Sequence, residues 1–198
     1  KEKFDPQPYF TAWDKTVVTN GYVAPTTYEG FDLVWNDEFK TGEIDPAKWT
    51  HEFGNGGPNL VGWGNSELQH YTPQNATVDD ELLTIEAKYH HEPLTELDGN
   101  DVPGGATYTS SKITTEGKFT FQYGRVDIRA AVAEGQGLWS AGWSAGWMLG
   151  ATGKGWPYSG ELDIFDTVGG TLDGIDQETM IVHNMYWNNE GPDDDDGE

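Results

Sequence analysis

Cysteine is absent from the 198 residues, so no disulfide stabilises the fold and the redox compartment cannot be read from thiols. Basic residues are also scarce. Eleven Lys and Arg stand against 34 Asp and Glu, a formal net charge of −23. Phosphate backbones and anionic lipid surfaces are held by clustered Lys and Arg, so neither nucleic acid nor a membrane is expected as partner. No apolar run approaches the roughly 20 residues that span a bilayer. Residues 1–10 lack the apolar stretch of a signal peptide, so a secreted protein would already be in its processed form. Helical periodicity is weak throughout, apart from a turn expected from Asp45 to Trp49.

What the chain does hold is glycine and aromatic surface. Its 26 Gly fit many tight turns between short strands, and 9 Trp, 9 Tyr and 8 Phe supply a core with rings to spare. The length suits one domain with a sizeable core. A neutral ligand such as a glycan would be indifferent to the negative charge. Strong acidity favours solubility and is screened by salt, which fits an extracellular setting. Residues 1–30, with Pro6, Pro8 and Pro25, read as an N-terminal arm or linker, and residues 31–198 as the domain. Strand-like runs are expected at Asp32 to Phe39, Glu81 to Tyr89, Ser110 to Thr114, Gly117 to Val132, Leu138 to Leu149 and Glu161 to Val168. Period-two alternation is clearest in Leu82 to Lys88 and Gly124 to Ala130, as in strands with one wet face. Many short strands predict an all-β sandwich or barrel.

One hexapeptide stands apart: Glu161-Leu162-Asp163-Ile164-Phe165-Asp166. On a strand, Glu161 and Asp163 share a face while Leu162 and Ile164 pack behind them. Strict alternation would set Phe165 beside the acids and turn Asp166 away. A bulge absorbing one residue would bring all three carboxylates to one face. Crowded carboxylates in a partly desolvated cleft tend to hold one proton between them, and one ionised with one protonated carboxyl is what a glycosidase uses. An acidic surface strand and a calcium site are the two other readings of these residues.

Two further features resist assignment. Ser140-Ala141-Gly142-Trp143 is repeated at once as Ser144-Ala145-Gly146-Trp147, too short to be an architectural repeat. Pro192 to Glu198 is a solvated acidic turn or tail, with calcium binding as the sharper alternative.

Six blocks in order carry a resemblance: Leu33 to Phe39, Trp63 to Thr72, Tyr108 to Ile113, Lys118 to Val126, Gly135 to Trp139 and Trp156 to Ile164. Together they resemble the laminarinase-type β-1,3-glucanases of glycoside hydrolase family 16. The resemblance implies a jelly-roll sandwich of two antiparallel sheets with a concave glycan-binding groove. It implies further C-terminal strands beyond those expected here. It also implies retaining hydrolysis of internal β-1,3-glucosidic bonds in laminarin-type glucans by a secreted monomer, with no catalytic cofactor. By position Glu161 resembles the nucleophile, Asp163 the middle carboxylate that tunes it, and Asp166 the general acid/base.

The family pattern has Glu where this chain has Asp166. Asp is shorter by one methylene, roughly 1.5 Å. Retaining chemistry wants its two carboxyls about 5 to 5.5 Å apart, and a misplacement of about 1 Å can cost on the order of a hundredfold in rate. The resemblance also implies substrate-binding roles for Trp63, Asn65, Glu67, Trp139, Trp143, Trp147, Trp156 and His183, and a structural calcium to which Glu38 contributes. Lys112 stands where the family usually has Arg, and Lys lacks the planar fork needed for bidentate contacts. The alternative is a β-glucan-binding protein that keeps the aromatic platforms and has lost its proton donor. A transglycosylase would share the first half of the reaction.

Overall fold

A computed structural model describes residues 25–132, 145–167, 171–172, 175–176 and 180–188. Every regular element in them is a strand or a single 3₁₀ turn. The described residues fall into two compact units, 25–126 and 127–188.

In the first unit a Thr-His pair, β1 (Thr50–His51), lies antiparallel to β7 (Ile113–Thr114). Strand β2 (Gln69–Tyr71) runs parallel to β6 (Asn100–Ser110), whose other edge carries β5 (Lys88–Leu97) antiparallel. A separate hairpin joins β3 (Ala76–Asp79) to β4 (Leu82–Ile85). The β5–β6 hairpin turns through Asp98 and Gly99 at φ 52° and 75°, the paired positive φ values of the turn that Asp-Gly favours. Leu97, Val102 and Ala106 are buried beside that turn, with Leu94 packed against them.

The long β5–β6 hairpin is not among the runs expected from sequence. Pro93 and Pro103 interrupt its apolar pattern, and the ladder shifts register between Tyr89 and Leu94, where Pro93 has no N–H to donate. Conversely, Asp32 to Phe39 and Gly117 to Val132 form no strand pairing among the described residues. Alternation marks which side chains share a face, but a strand also needs a partner for its backbone groups. The first of these segments is held by side chains instead. Asp37 accepts from Trp49 Nε1 at 2.8 Å, and Trp35 sits edge-on to Trp49 and stacks on Phe119. The expected turn at Asp45 forms: its carbonyl accepts from the Lys48 and Trp49 amides. Tyr28 bridges to Phe31 and lies under the Arg125 guanidinium, so residues on both sides of the expected boundary at Phe31 contact one another.

The second unit contains β8 (Ala145–Leu149), β9 (Glu161–Thr167), β10 (Thr171–Leu172), β11 (Ile175–Asp176) and β12 (Ile181–Tyr186). Strand β9 is central, antiparallel to β8 on one side and β12 on the other, while β10 and β11 pair with each other. The central strand is therefore the one carrying the acidic hexapeptide.

Candidate active site

The carboxylates converge because β9 holds one residue more than its neighbours between Asp163 and Asp166. Toward β8, Trp147 faces Asp163 and the adjacent Gly146 faces Phe165, leaving Ile164 without an opposite number. Toward β12, Asn184 faces Asp163 and Val182 faces Asp166, so His183 alone spans Ile164 and Phe165. This is the bulge that the sequence pattern requires, and both neighbouring strands register it. Phe165 turns away from the acids and lies over Gly146, where a Cβ would sit 2.5 Å from its ring. A larger residue there would push the ring and strain the bulge.

Asp163 and Asp166 are buried, only 6% and 5% exposed, whereas Leu162 and Ile164 are half-buried. The strand thus shelters its acids more completely than its apolar residues, the reverse of the packing expected from alternation alone. Burial holds the Glu161 carboxyl above the usual carboxylate range, opposed by the Trp156 indole and reinforced by a hydrogen bond and like charge from Asp163 and by the charge of Asp166. Trp156 Nε1 donates to Glu161 Oε2. Asp166 Oδ2 accepts from Asn184 Nδ2 at 3.1 Å.

Aromatic rings flank this centre. Trp156 and Tyr186 have ring centroids 5.8 Å apart, and with Pro157, Met185 and Trp187 they line an open depression of about 200 Å³. Trp156 is 62% exposed, so its ring is available as a platform for a sugar face. Trp147 shares the face of Asp163, directly opposite it.

His183, expected to bind substrate, is exposed and lies where the β12 ladder shifts register against β9, between Val182 and Asn184. Its neighbour Asn184 is the residue that donates to Asp166. Asn184 and Tyr186 are the residues that sequence reasoning missed. The signal was the period-two set Val182, Asn184, Tyr186, which lacks the acidic cluster that drew attention to β9. Trp139 and Trp143 lie outside the described residues, as does the acidic run from Pro192.

Trp63, Asn65 and Glu67 form their own cluster in the first unit. Glu67 accepts from Asn65 at 3.2 Å and from Gln69 and Tyr71 at 2.6 Å each. Burial and then Glu67 push the Tyr71 phenol upward. The Lys112 ammonium sits 3.4 Å from the Trp63 ring centroid, covering one face of that indole. Burial draws Lys112 below the usual lysine range, against the pull of Glu52, Glu67 and Glu116. Trp63 is half-buried, and its ring centroid also lies 5.7 Å from that of Tyr71. Glu38 is exposed, and no group of three or more His, Asp or Glu suited to a metal ion occurs among the described residues.

Comparison with known proteins places this arrangement. Residues 65–196 match the family described as Glycosyl hydrolases family 16. The chain belongs to glycosyl hydrolase family 16. It is 37% identical over 163 residues to glucan endo-1,3-beta-glucosidase A1 of Niallia circulans, covering 79% of this chain and 23% of that protein. It is 40% identical over 143 residues to a beta-glucanase of Rhodothermus marinus, covering 70% of this chain and 44% of that one. The family 16 chain thus spans less than half the length of these curated relatives. Among solved structures, the catalytic domain of an endo-1,3-beta-glucanase (laminarinase) from Thermotoga petrophila matches at 38% identity and a TM-score of 0.62, over 81% of this chain and 64% of that one. The all-β jelly-roll class expected from the sequence is the class of this family.

Proposed function

We propose that this chain carries the catalytic centre of a retaining endo-β-1,3-glucanase acting on laminarin-type polysaccharide. The observation that carries the reading is the bulge in β9, which brings Glu161, Asp163 and Asp166 to one face in a family 16 glycosidase. The names of the relatives support the substrate class, as endo-1,3-beta-glucosidases and a laminarinase.

In this reading Glu161 attacks the anomeric carbon while Asp166 delivers its proton to the departing glycosidic oxygen. Asp166, now ionised, then takes a proton from water, which opens the glycosyl-enzyme and restores both carboxyls. Asp163, two residues along β9 from Glu161, acts on it by hydrogen bond and like charge, both of which favour the protonated form of Glu161. The Trp156 indole holds Oε2 of Glu161, which orients the carboxylate, and the same ring with Tyr186 offers apolar faces to a sugar.

The chemistry needs no cofactor. A structural calcium reached by Glu38 would draw its other ligands from outside the described residues. Action on an extracellular polymer by a secreted monomer fits the acidic surface, and no described helix is long and apolar enough to cross a membrane.

The test is release of reducing ends from laminarin. Activity in the parent protein that disappears in Glu161→Ala supports the reading. Binding of laminarin without cleavage would identify a glucan-binding protein instead, the outcome that the short side chain of Asp166 favours. A polysaccharide panel including mixed-linkage glucans and sulfated galactans would set the polymer.

A further inference from the structure

The first unit holds a cavity on the reverse side of the sheet that carries the Trp63 cluster. Tyr71 pairs with Ser110, so Thr109 projects to the face opposite Tyr71. Thr109 is only 2% exposed, and its Oγ1 is in hydrogen-bond contact with His90 Nε2 at 2.9 Å. The hollow they line measures about 440 Å³. That lies within the roughly 300–1,000 Å³ of small-molecule sites.

Strand pairing builds this hollow. The five steps from Tyr89 to Leu94 on β5 face only two from Tyr108 to Ala106 on β6, so β5 arches off the ladder between them. Gly105 admits the arch, since a Cβ there would meet Pro93 Cβ at 2.7 Å. Thr72 Oγ1 donates to Asp98 Oδ2 at 2.7 Å, which ties the turn at residues 73–75 to the tip of the β5–β6 hairpin.

The walls select a ligand class. Glu96 and Asp98 bring carboxylates, Gln74 an amide, and Leu94 with Leu97 an aliphatic surface. The Lys88 ammonium is paired with Glu86 at 3.0 Å. Burial and then the Lys88 charge hold His90 below the usual histidine range, so the ring that meets Thr109 is neutral at neutral pH. An anion would face two carboxylates with the nearby cation already paired. No group of three or more His, Asp or Glu suited to a metal ion occurs among the described residues. An apolar ligand would strip water from charged walls and return no hydrogen bonds. A sugar meets the whole set, because its hydroxyls donate to carboxylates and exchange bonds with an amide while its C–H face rests on leucine.

We propose that this cavity is a second, non-catalytic glycan site that holds one or two neutral hexopyranose units through Glu96 and Asp98. The choice of glucose as the sugar rests on the glucan reading above, and the site itself needs no role for Glu161 or Asp166.

The experiment titrates laminaribiose, the β-1,3-linked glucose dimer, into the full chain carrying Glu161→Ala and follows backbone amide chemical shifts. Amides around Thr72 to Asn75, Lys88 to Asp98 and Thr109 should shift together along one binding curve. Adding Glu96→Ala and Asp98→Asn should weaken that curve on the order of tenfold or more, the loss expected when charged acceptors are removed. Shifts around Trp63 to Tyr71 should stay as they were. Glu96 is exposed, and Asn tolerates the φ of 52° at position 98, so this variant should keep the fold.

No shift around the cavity, or the same affinity in a folded Glu96→Ala, Asp98→Asn variant, overturns the inference. An equal response to glycerol at equal hydroxyl concentration also overturns it, since the cavity would then be an unselective polyol pocket. Should the double variant fail to fold, Glu96→Ala alone is compared. If the parent protein cleaves no laminarin, the catalytic reading fails, while the titration still decides whether this cavity binds sugar.

Discussion

Replacing Asp166 with Glu tests whether reach limits the proton donor. The substitution advances the carboxyl by one methylene, roughly 1.5 Å. Asp166 is only 5% exposed and accepts from Asn184 of β12 at 3.1 Å, so the short carboxyl is held down among the strands. Retaining hydrolysis needs the two carboxyls about 5 to 5.5 Å apart around the scissile bond. Since about 1 Å of misplacement can cost on the order of a hundredfold, Asp166→Glu should raise kcat on laminarin by about that factor.

The gain should depend on how much the leaving group needs a proton. A dinitrophenyl β-glucoside of a short β-1,3-oligomer leaves as a stable anion without protonation, so its glycosylation step should change little. The paired assay therefore measures the ratio of improvements on laminarin and on the aryl glycoside, with single-turnover kinetics isolating the first step. Equal improvement on both substrates would refute the argument, because the gain would then lie in Glu161 or in binding rather than in proton delivery. No improvement on either would show that Asp166 already reaches the glycosidic oxygen.

Three further outcomes follow from the same geometry. Glu161→Gln should abolish hydrolysis while raising the melting temperature at neutral pH, because the folded state holds this carboxyl above its ordinary range through burial and the neighbouring acids. A raised carboxyl is favourable to folding at low pH and costly once ionised, so the gain should shrink as pH falls. Relief of active-site strain of this kind commonly adds about 0.5–2 kcal/mol. His51, His70 and His90 have the opposite dependence, each held below the usual histidine range mainly by burial. The unfolded chain takes up those protons first as pH falls below about 6.5, so their contribution is complete above that pH and lost as pH drops through the folded values. His70→Gln should flatten the fall of melting temperature between pH 7 and 5, and an unchanged slope would contradict this. Gly146→Ala should destabilise the second unit by about 1–3 kcal/mol, read by denaturant unfolding, because the new Cβ meets the Phe165 ring at 2.5 Å. It should also reduce activity by disturbing the bulge that places Asp166.

The acidic hexapeptide was legible because it broke its own period. Three carboxylates at positions 161, 163 and 166 can share a face only across an inserted residue, and both neighbouring strands show that insertion. Trp156 could be proposed from its block, but its bond to Glu161 depends on how the loop before β9 folds back. His183 drew attention as a chemically active residue, whereas the contact to Asp166 is made by its neighbour Asn184, which the pairing of β12 with β9 brings there. The β5–β6 hairpin was hidden by its prolines, although Asp98-Gly99 between strand-like residues carried the turn signal. The segments 32–39 and 117–132 failed the other way, since alternation records a face and not a hydrogen-bonded partner.

By itself the sequence determined the all-β class, the six ordered blocks and the need for a bulge between Asp163 and Asp166, because period and composition are local properties of the chain. Only the tertiary structure decided that Asn184 donates to Oδ2 of Asp166 and that Lys112 covers the Trp63 ring. Those outcomes depend on the register between strands distant in sequence. A shift of one residue in that register exchanges every side chain on the face.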